Sequence, residues 1–151
     1  MGSQFPDDPH MCERVNDSLA EWAGQRMPTP IHCKDFGAQR SIGISQNNDM
    51  LAVVVYNRFE RMRHGNTLQM SIASISPAWC RRGVLRALFH YPFVQQDCSS
   101  VWAATGRKNK DARRFLERLG FTLRGSRRKG YDGRQDAMLY DMTRDECRWL
   151  R

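Results

Sequence analysis

The stretch Gln69-Met70-Ser71-Ile72-Ala73-Ser74-Ile75-Ser76-Pro77-Ala78-Trp79-Cys80-Arg81-Arg82-Gly83-Val84-Leu85 changes character halfway along. Up to Ser76 it reads as an apolar strand, and Ser76-Pro77-Ala78-Trp79 reads as a turn. From Cys80 onward Val84, Leu85, Leu88 and Phe89 recur at helical spacing, and Pro92 kinks or stops that helix near Tyr91. A second strand, Ser100 to Thr105, follows. A strand, a helix and a strand in series predict a right-handed crossover between parallel strands. Arg81, Arg82 and Gly83 stand at the head of the crossover helix, where unpaired N–H groups and the helix dipole favour a phosphate.

Downstream, Ala112, Phe115, Leu116 and Leu119 give a helix from Lys110 to Leu119 an apolar face, and Gly120 is placed to cap its C-terminus. Phe121 to Arg128 and Ala137 to Thr143 pair as a hairpin around Gly130 to Gly133. Upstream, Val15, Leu19, Trp22 and Ala23 mark an amphipathic helix from His10 to about Arg26, closed by Met27-Pro28-Thr29-Pro30. Arg40 to Ser45 and Met50 to Tyr56 are strands joined by the turn-forming Gln46-Asn47-Asn48-Asp49. With Thr67 to Ser76 they form an antiparallel meander, and the charged Asn57 to Asn66 is its second connection. The domain organisation expected is a disordered tail at 1–9 and one domain at 10–151.

The chain has 151 residues, 40% of them hydrophobic and 26% charged, in the range of a globular domain and without a run approaching the ~20 apolar residues of a membrane span. Its start lacks the basic and apolar regions of a secretory signal. Five cysteines at irregular spacing favour neither a disulfide framework nor a zinc site, so a reducing, cytoplasmic setting is expected, with no metal. His32-Cys33 has no companion pair at ligand spacing. Cys80, between a helix head and two arginines, is expected to have a lowered thiol pKa.

The net charge of +8 is unevenly spread. Residues 1–50 carry 4 Lys and Arg against 7 Asp and Glu, whereas residues 51–151 carry 20 against 9. The segment from Arg107 to Lys129 alone holds 10 basic and 2 acidic residues. A surface so basic implies an anionic partner, either a phosphorylated cofactor or a nucleic acid.

From about Arg40 to Thr143 the order of elements resembles the GNAT N-acetyltransferases. Asn109, the run Ala112-Arg113-Arg114-Phe115-Leu116-Glu117-Arg118-Leu119-Gly120-Phe121 and Leu123-Arg124-Gly125 are similar to that family's most specific segment. Within the family they resemble the branch of ribosomal-protein N-acetyltransferases and small phage or bacterial relatives. The resemblance implies an α/β fold with a mixed central sheet, an antiparallel meander followed by a parallel β-α-β crossover and a closing hairpin, with flanking helices. It implies acetyl-CoA as co-substrate and direct acetyl transfer to a primary amine of a protein or a small molecule.

The family's pyrophosphate loop places Gln or Arg, then Gly, then Gly or Ala, where this chain has Cys80, Gly83 and Leu85, so only the middle position agrees. The resemblance implies that the backbone of Arg82, Gly83, Val84 and Leu85, with an arginine side chain from Arg81 or Arg82, holds the phosphates. Ser74, Ile75 and Ser76, at the end of the Met70 to Ser76 strand, would offer backbone groups to the pantetheine arm. Asn109 would bond that arm or its surroundings, and Arg107, Lys108, Lys110 and Arg113 would meet the 3′-phosphate. The tyrosine and serine that relatives use as acid fall on Leu116 and Ala112 here, so Tyr140 is the expected substitute, with Tyr131 and Ser71 behind it. No acidic residue stands in the Gln69 to Ser76 strand, which leaves Glu60 or His64 acting through water, or no strong base, as alternatives.

Two rival readings share the scaffold: a Mom-like nucleobase modification enzyme and a degenerate domain that binds acetyl-CoA or nucleic acid without turnover. The partners expected are an amine acceptor, a nucleic acid or nucleic-acid-associated protein at the basic segment, and a second copy in a homodimer, with no membrane.

Overall fold

The computed structural model describes residues 9–151, with side chains from Val15 onward. Of the expected tail at 1–9, residues 1–8 lie outside the described residues, and Pro9 opens the first helix. The elements are α1 (Pro9–Gln25), β1 (Gln39–Gln46), β2 (Asp49–Glu60), β3 (Asn66–Ser74), α2 (Arg82–His90), β4 (Cys98–Gly106), α3 (Lys110–Leu119), β5 (Thr122–Arg127) and β6 (Ala137–Thr143). Six strands form a mixed sheet in the order β1-β2-β3-β4-β6-β5. This is the α/β class with a mixed central sheet expected from the sequence.

The chain gathers into two compact units, the described part of Met1–Arg58 with Met70–Leu88, and Phe59–Gln69 with Phe89–Arg151. In the first, β1 and β2 pair antiparallel through a tight turn whose Asn47 and Asn48 have φ of 53° and 66°. Asparagine tolerates this left-handed conformation better than most residues, which suits the tetrapeptide to a two-residue hairpin. α1 lies on β1. Asn16 clamps it there, its Nδ2 donating to the Gln39 carbonyl at 3.0 Å and its Oδ1 accepting from the Ser41 N–H at 2.6 Å. Ala20, Ala23, Phe36, Val53, Val55 and Ala73 form the buried core beneath the helix, with Leu19 and Trp22 packed at its margin. Val15, expected on the apolar face, is exposed. The Tyr56 hydroxyl on β2 donates to the Leu88 carbonyl at 2.5 Å, which ties β2 to the last turn of α2.

β2 runs past Tyr56 to Glu60, through residues the sequence suggested as a loop. α2 ends at His90, and Pro92 lies in a single π-helical turn, Tyr91–Gln95, with Phe93 fully buried. In the second unit β3 and β4 pair in parallel from Asn66↔Cys98 to Gln69↔Trp102. β4 then pairs antiparallel with β6 along its length, and β6 with β5. α3 spans the residues expected of it. Asn109 caps its N-terminus, its Oδ1 accepting from the Ala112 N–H at 3.2 Å, and Gly120 closes its C-terminus in the left-handed conformation at φ 107°. Two carbonyls in the last turn of α3 find further partners. The Trp149 indole N–H donates to the Leu119 carbonyl at 2.8 Å, and the Arg148 guanidinium donates to the Arg118 carbonyl. Phe89 packs between Phe93 and Phe121, at centroid distances of 6.3 and 6.1 Å.

Candidate functional site

In the first unit the site candidates lie where β3 gives way to α2. The Ser74 hydroxyl donates to the Ser76 carbonyl at 2.9 Å and accepts from the Trp79 indole N–H at 2.8 Å. The Ser76 hydroxyl accepts from the Ala78 N–H at 3.2 Å and so caps the short 3-10 turn Pro77–Trp79. Both serine side chains therefore build the turn, and buried Trp79 is the plug they hold. Ile75 is anchored through its N–H to the Leu51 carbonyl at 3.0 Å, while its side chain is 61% exposed. Ser71 is half-buried in mid-strand.

The chain then turns sharply. Cys80 N–H donates to the Pro77 carbonyl, and Arg81 N–H donates to the Trp79 carbonyl at 2.7 Å. The first bond of α2 runs from the Leu85 N–H to the Arg81 carbonyl at 2.9 Å, and the Leu85 side chain enters the core at 4% exposure. Leu85, expected to bind phosphate through its amide, has that amide committed to the helix. The N–H groups of Arg82, Gly83 and Val84 precede this first bond and lie outside the helical ladder. Arg81, Arg82 and Gly83 are exposed, and a Cβ built on Gly83 meets nothing within 4 Å.

Cys80 departs from its expected behaviour. It stands two residues before the first helical residue, half-buried, and burial pushes its thiol pKa up. A thiol outside the first helical turn gains little from the dipole, so desolvation decides the sign.

In the second unit Asn109 and Arg113 are both engaged by the protein itself. Asn109 is the cap described above. Arg113 Nε donates to the Tyr140 hydroxyl at 3.0 Å and its Nη1 donates to the Arg107 carbonyl at 3.1 Å, which draws this guanidinium inward. Tyr140 is fully buried on β6, opposite Ala103 of β4. An arginine can only donate, so the tyrosine oxygen is the acceptor and its own O–H proton is not spent in this bond. Arg107 pairs with Asp136 at 3.7 Å. Lys108 and Lys110 are exposed, as are Glu60 at the end of β2 and His64 beyond it, while Leu116 is buried. Tyr131 is half-buried, and desolvation, with Asp132 beside it, raises its phenol pKa. Among the described residues no group of three or more His, Cys, Asp or Glu gathers as metal ligands, and the His32 imidazole lies against Glu21.

Two features were not foreseen in the sequence. One is the Arg113–Tyr140 bond, which joins α3 to β6. The other is Gln69, whose side-chain oxygen is buried without a hydrogen-bond partner at the residue where the β3–β4 ladder ends. A glutamine mid-strand in an apolar run is a visible signal of a buried polar group, though not of an unpartnered one.

This arrangement, a mixed sheet with a helix after its third strand, is that of the GNAT fold. Solved structures agree. A chimera of the Vibrio cholerae spermidine N-acetyltransferase SpeG and hSSAT matches with a TM-score of 0.60 at 15% identity, over 76% of this chain and 71% of that one. A protein of T. thermophilus, solved as a candidate acetyltransferase, matches at 0.60 and 19% identity, over 73% of this chain and 61% of that one. Mutant forms of the V. cholerae spermidine/spermine N-acetyltransferase SpeG match at 0.56 and 17%, over 72% and 66%. At these identities the likeness is one of fold. No family model matches the chain.

Proposed function

We propose that this protein is an N-acetyltransferase that moves an acetyl group from acetyl-CoA to a primary amine. The observation that carries the reading is the head of α2. There the N–H groups of Gly83 and Val84 lie outside the ladder, two arginines are exposed, and a Cβ on Gly83 would meet nothing within 4 Å. A glycine in a helix costs roughly 0.5–1 kcal/mol relative to alanine, and its use here fits close approach of a phosphate to the backbone. Arg81 and Arg82 supply charge to a pyrophosphate, and Gly83 and Val84 supply N–H donors. Ser74 at the end of β3, with Ile75 and Ser76 beyond it, offers backbone to the amide-bearing pantetheine arm. Acetyl-CoA supplies the activated acyl group; the chain's own contribution is binding, orientation and a proton. In the second unit Tyr140, whose O–H is not spent on Arg113, is the candidate acid.

The neighbours named for spermidine acetylation suggest an amine acceptor, but the +8 charge of this chain disfavours a polycation. The acceptor class favoured is therefore an amine on a neutral or anionic molecule, such as a protein N-terminus or lysine.

The deciding experiment is thermal unfolding with and without acetyl-CoA. At 100 times its Kd the ligand should stabilise the fold by about 2.7 kcal/mol. The shift should vanish in the Arg81→Ala/Arg82→Ala variant, and CoA release should follow with a panel of peptides and amines. No shift at millimolar acetyl-CoA would overturn the reading. A shift without CoA release from any amine, peptide or nucleobase acceptor would establish the degenerate binder instead.

A further inference from the structure

The second unit holds 16 Lys and Arg against 9 Asp and Glu, so that nearly all of the protein's net charge resides in it. The excess is arranged. Lys110, Arg114 and Arg118 recur every fourth residue along α3, all exposed, which spaces three cations about 6 Å apart in a row along the helix. Like charges at this spacing destabilise a helix. Among the described residues no ion pair joins Asp111 or Glu117 to them, whereas Arg107 pairs with Asp136, and Arg124 with Asp141 and Glu146.

α3 packs beside β5, the edge strand of the sheet, which is exposed along its whole length and leads into Arg127, Arg128 and Lys129 at the hairpin end. β5 also carries a bulge between Leu123 and Gly125, and a Cβ built on Gly125 meets nothing within 4 Å. Glycine weakens a strand, and one facing open space in an exposed edge strand leaves room for another backbone to approach.

We propose that α3 and the β5 edge form a binding surface for the phosphodiester backbone of a nucleic acid. Three features favour a nucleic acid over an acidic protein. Four of the six cations are arginines, whose planar forks match phosphate oxygens in pairs. The row runs in a line, as phosphates do along a strand. The surface offers one large exposed apolar side chain, Leu123, whereas a protein partner needs a buried cluster of anchors. Binding carried by phosphate contacts of this kind is sequence-independent.

The test is fluorescence anisotropy of the full chain with a labelled mixed-sequence oligonucleotide, as single strand and as duplex, between about 50 and 200 mM salt. Binding should weaken linearly in a log–log plot against salt. The variant Arg114→Gln/Arg118→Gln/Arg127→Gln/Arg128→Gln should bind at least tenfold more weakly, with a slope shallower by about 3.6 on duplex and about 2.8 on single strand, since each phosphate contact contributes roughly 0.9 and 0.7 respectively. Its circular dichroism and unfolding midpoint should match the parent. If the fourfold variant fails to fold, the pairs Arg114→Gln/Arg118→Gln and Arg127→Gln/Arg128→Gln are compared separately. Absence of binding at the lowest salt, or affinity and slope unchanged in the variants, would overturn the proposal. Equal competition by polyglutamate at matched charge would overturn it in favour of an acidic protein. The acetyl-CoA reading is independent of each of these outcomes.

Discussion

Arg113 Nε on α3 donates to the Tyr140 hydroxyl on β6 at 3.0 Å, and Tyr140 is fully buried. The bond explains why this arginine faces the sheet, and it leaves a buried hydroxyl with a proton to donate. Removing the oxygen strands one guanidinium donor. Tyr140→Phe should therefore cost about 1 kcal/mol of stability, the ordinary net value of a hydrogen bond. If Tyr140 is also the acid, turnover should fall by roughly 10²–10⁴ with little change in KM for acetyl-CoA, and the alkaline limb of the rate profile should change. A purely structural tyrosine would show the stability loss alone, with kcat and the pH profile intact.

Gly83 separates packing from function in the opposite direction. Nothing stands within 4 Å of its absent Cβ, and its φ lies outside the left-handed region. Gly83→Ala should raise the unfolding midpoint, by the equivalent of up to about 1 kcal/mol, because the unfolded chain loses freedom and the helix gains propensity. Gly83→Val should weaken acetyl-CoA binding in calorimetry by at least tenfold, since the branched side chain fills the approach to the N–H groups. Unchanged affinity in the valine variant would remove the helix head from the proposed site.

The elements with two clear end signals were legible in the sequence. α3 lies between Asn109 and Gly120, and both α3 and β6 match the bounds expected of them. β2 was read short because Asn57 and Arg58 look like turn residues. In the sheet, Asn57 pairs with Gln39 and donates through Nδ2 to the Phe36 carbonyl, and Arg58 accommodates a φ of 51°. Pairing supplied by a neighbour overrides such a local preference. The candidate site was harder to read for a related reason. Ser74, Ser76, Asn109 and Arg113 were assigned to a ligand, and each also has a hydrogen bond within the protein. Residue type tells that a donor or acceptor is present, and only the fold tells where it is spent.

Gln69 poses the converse case, a polar atom with no partner. Its Oε1 is buried and unbonded. An unsatisfied buried acceptor costs about 1–3 kcal/mol, so replacing it with a similarly sized apolar side chain should help the free protein. Gln69→Leu is expected to raise stability by about 1 kcal/mol in denaturant unfolding. A loss of stability would mean that a bound water already satisfies the oxygen. A stabilised variant with lower kcat would identify Gln69 as a residue retained for the reaction.

The exposed pair Glu21 and His32 predicts a pH dependence that can be signed. The Glu21 carboxylate accepts from the Cys33 N–H at 2.7 Å and lies 3.1 Å from His32 Nδ1. The Cys33 amide first, and His32 next, hold the Glu21 pKa below its ordinary 4.5, while the hydrogen bond and charge of Glu21 hold His32 above its ordinary 6.5. The depressed carboxylate stabilises the fold above about 4.5, and that contribution is lost as pH falls through its lowered folded value. The raised imidazole stabilises below about 6.5, and that contribution is lost as pH rises through its raised folded value. Both are present together between these limits. His32→Gln should therefore lower the unfolding midpoint more at pH 5.5 than at pH 8.5, and the difference should shrink in high salt because both groups face solvent. Equal effects at the two pH values would show that the imidazole stays neutral, and that Glu21 works solely as the anchor of the Cys33 backbone.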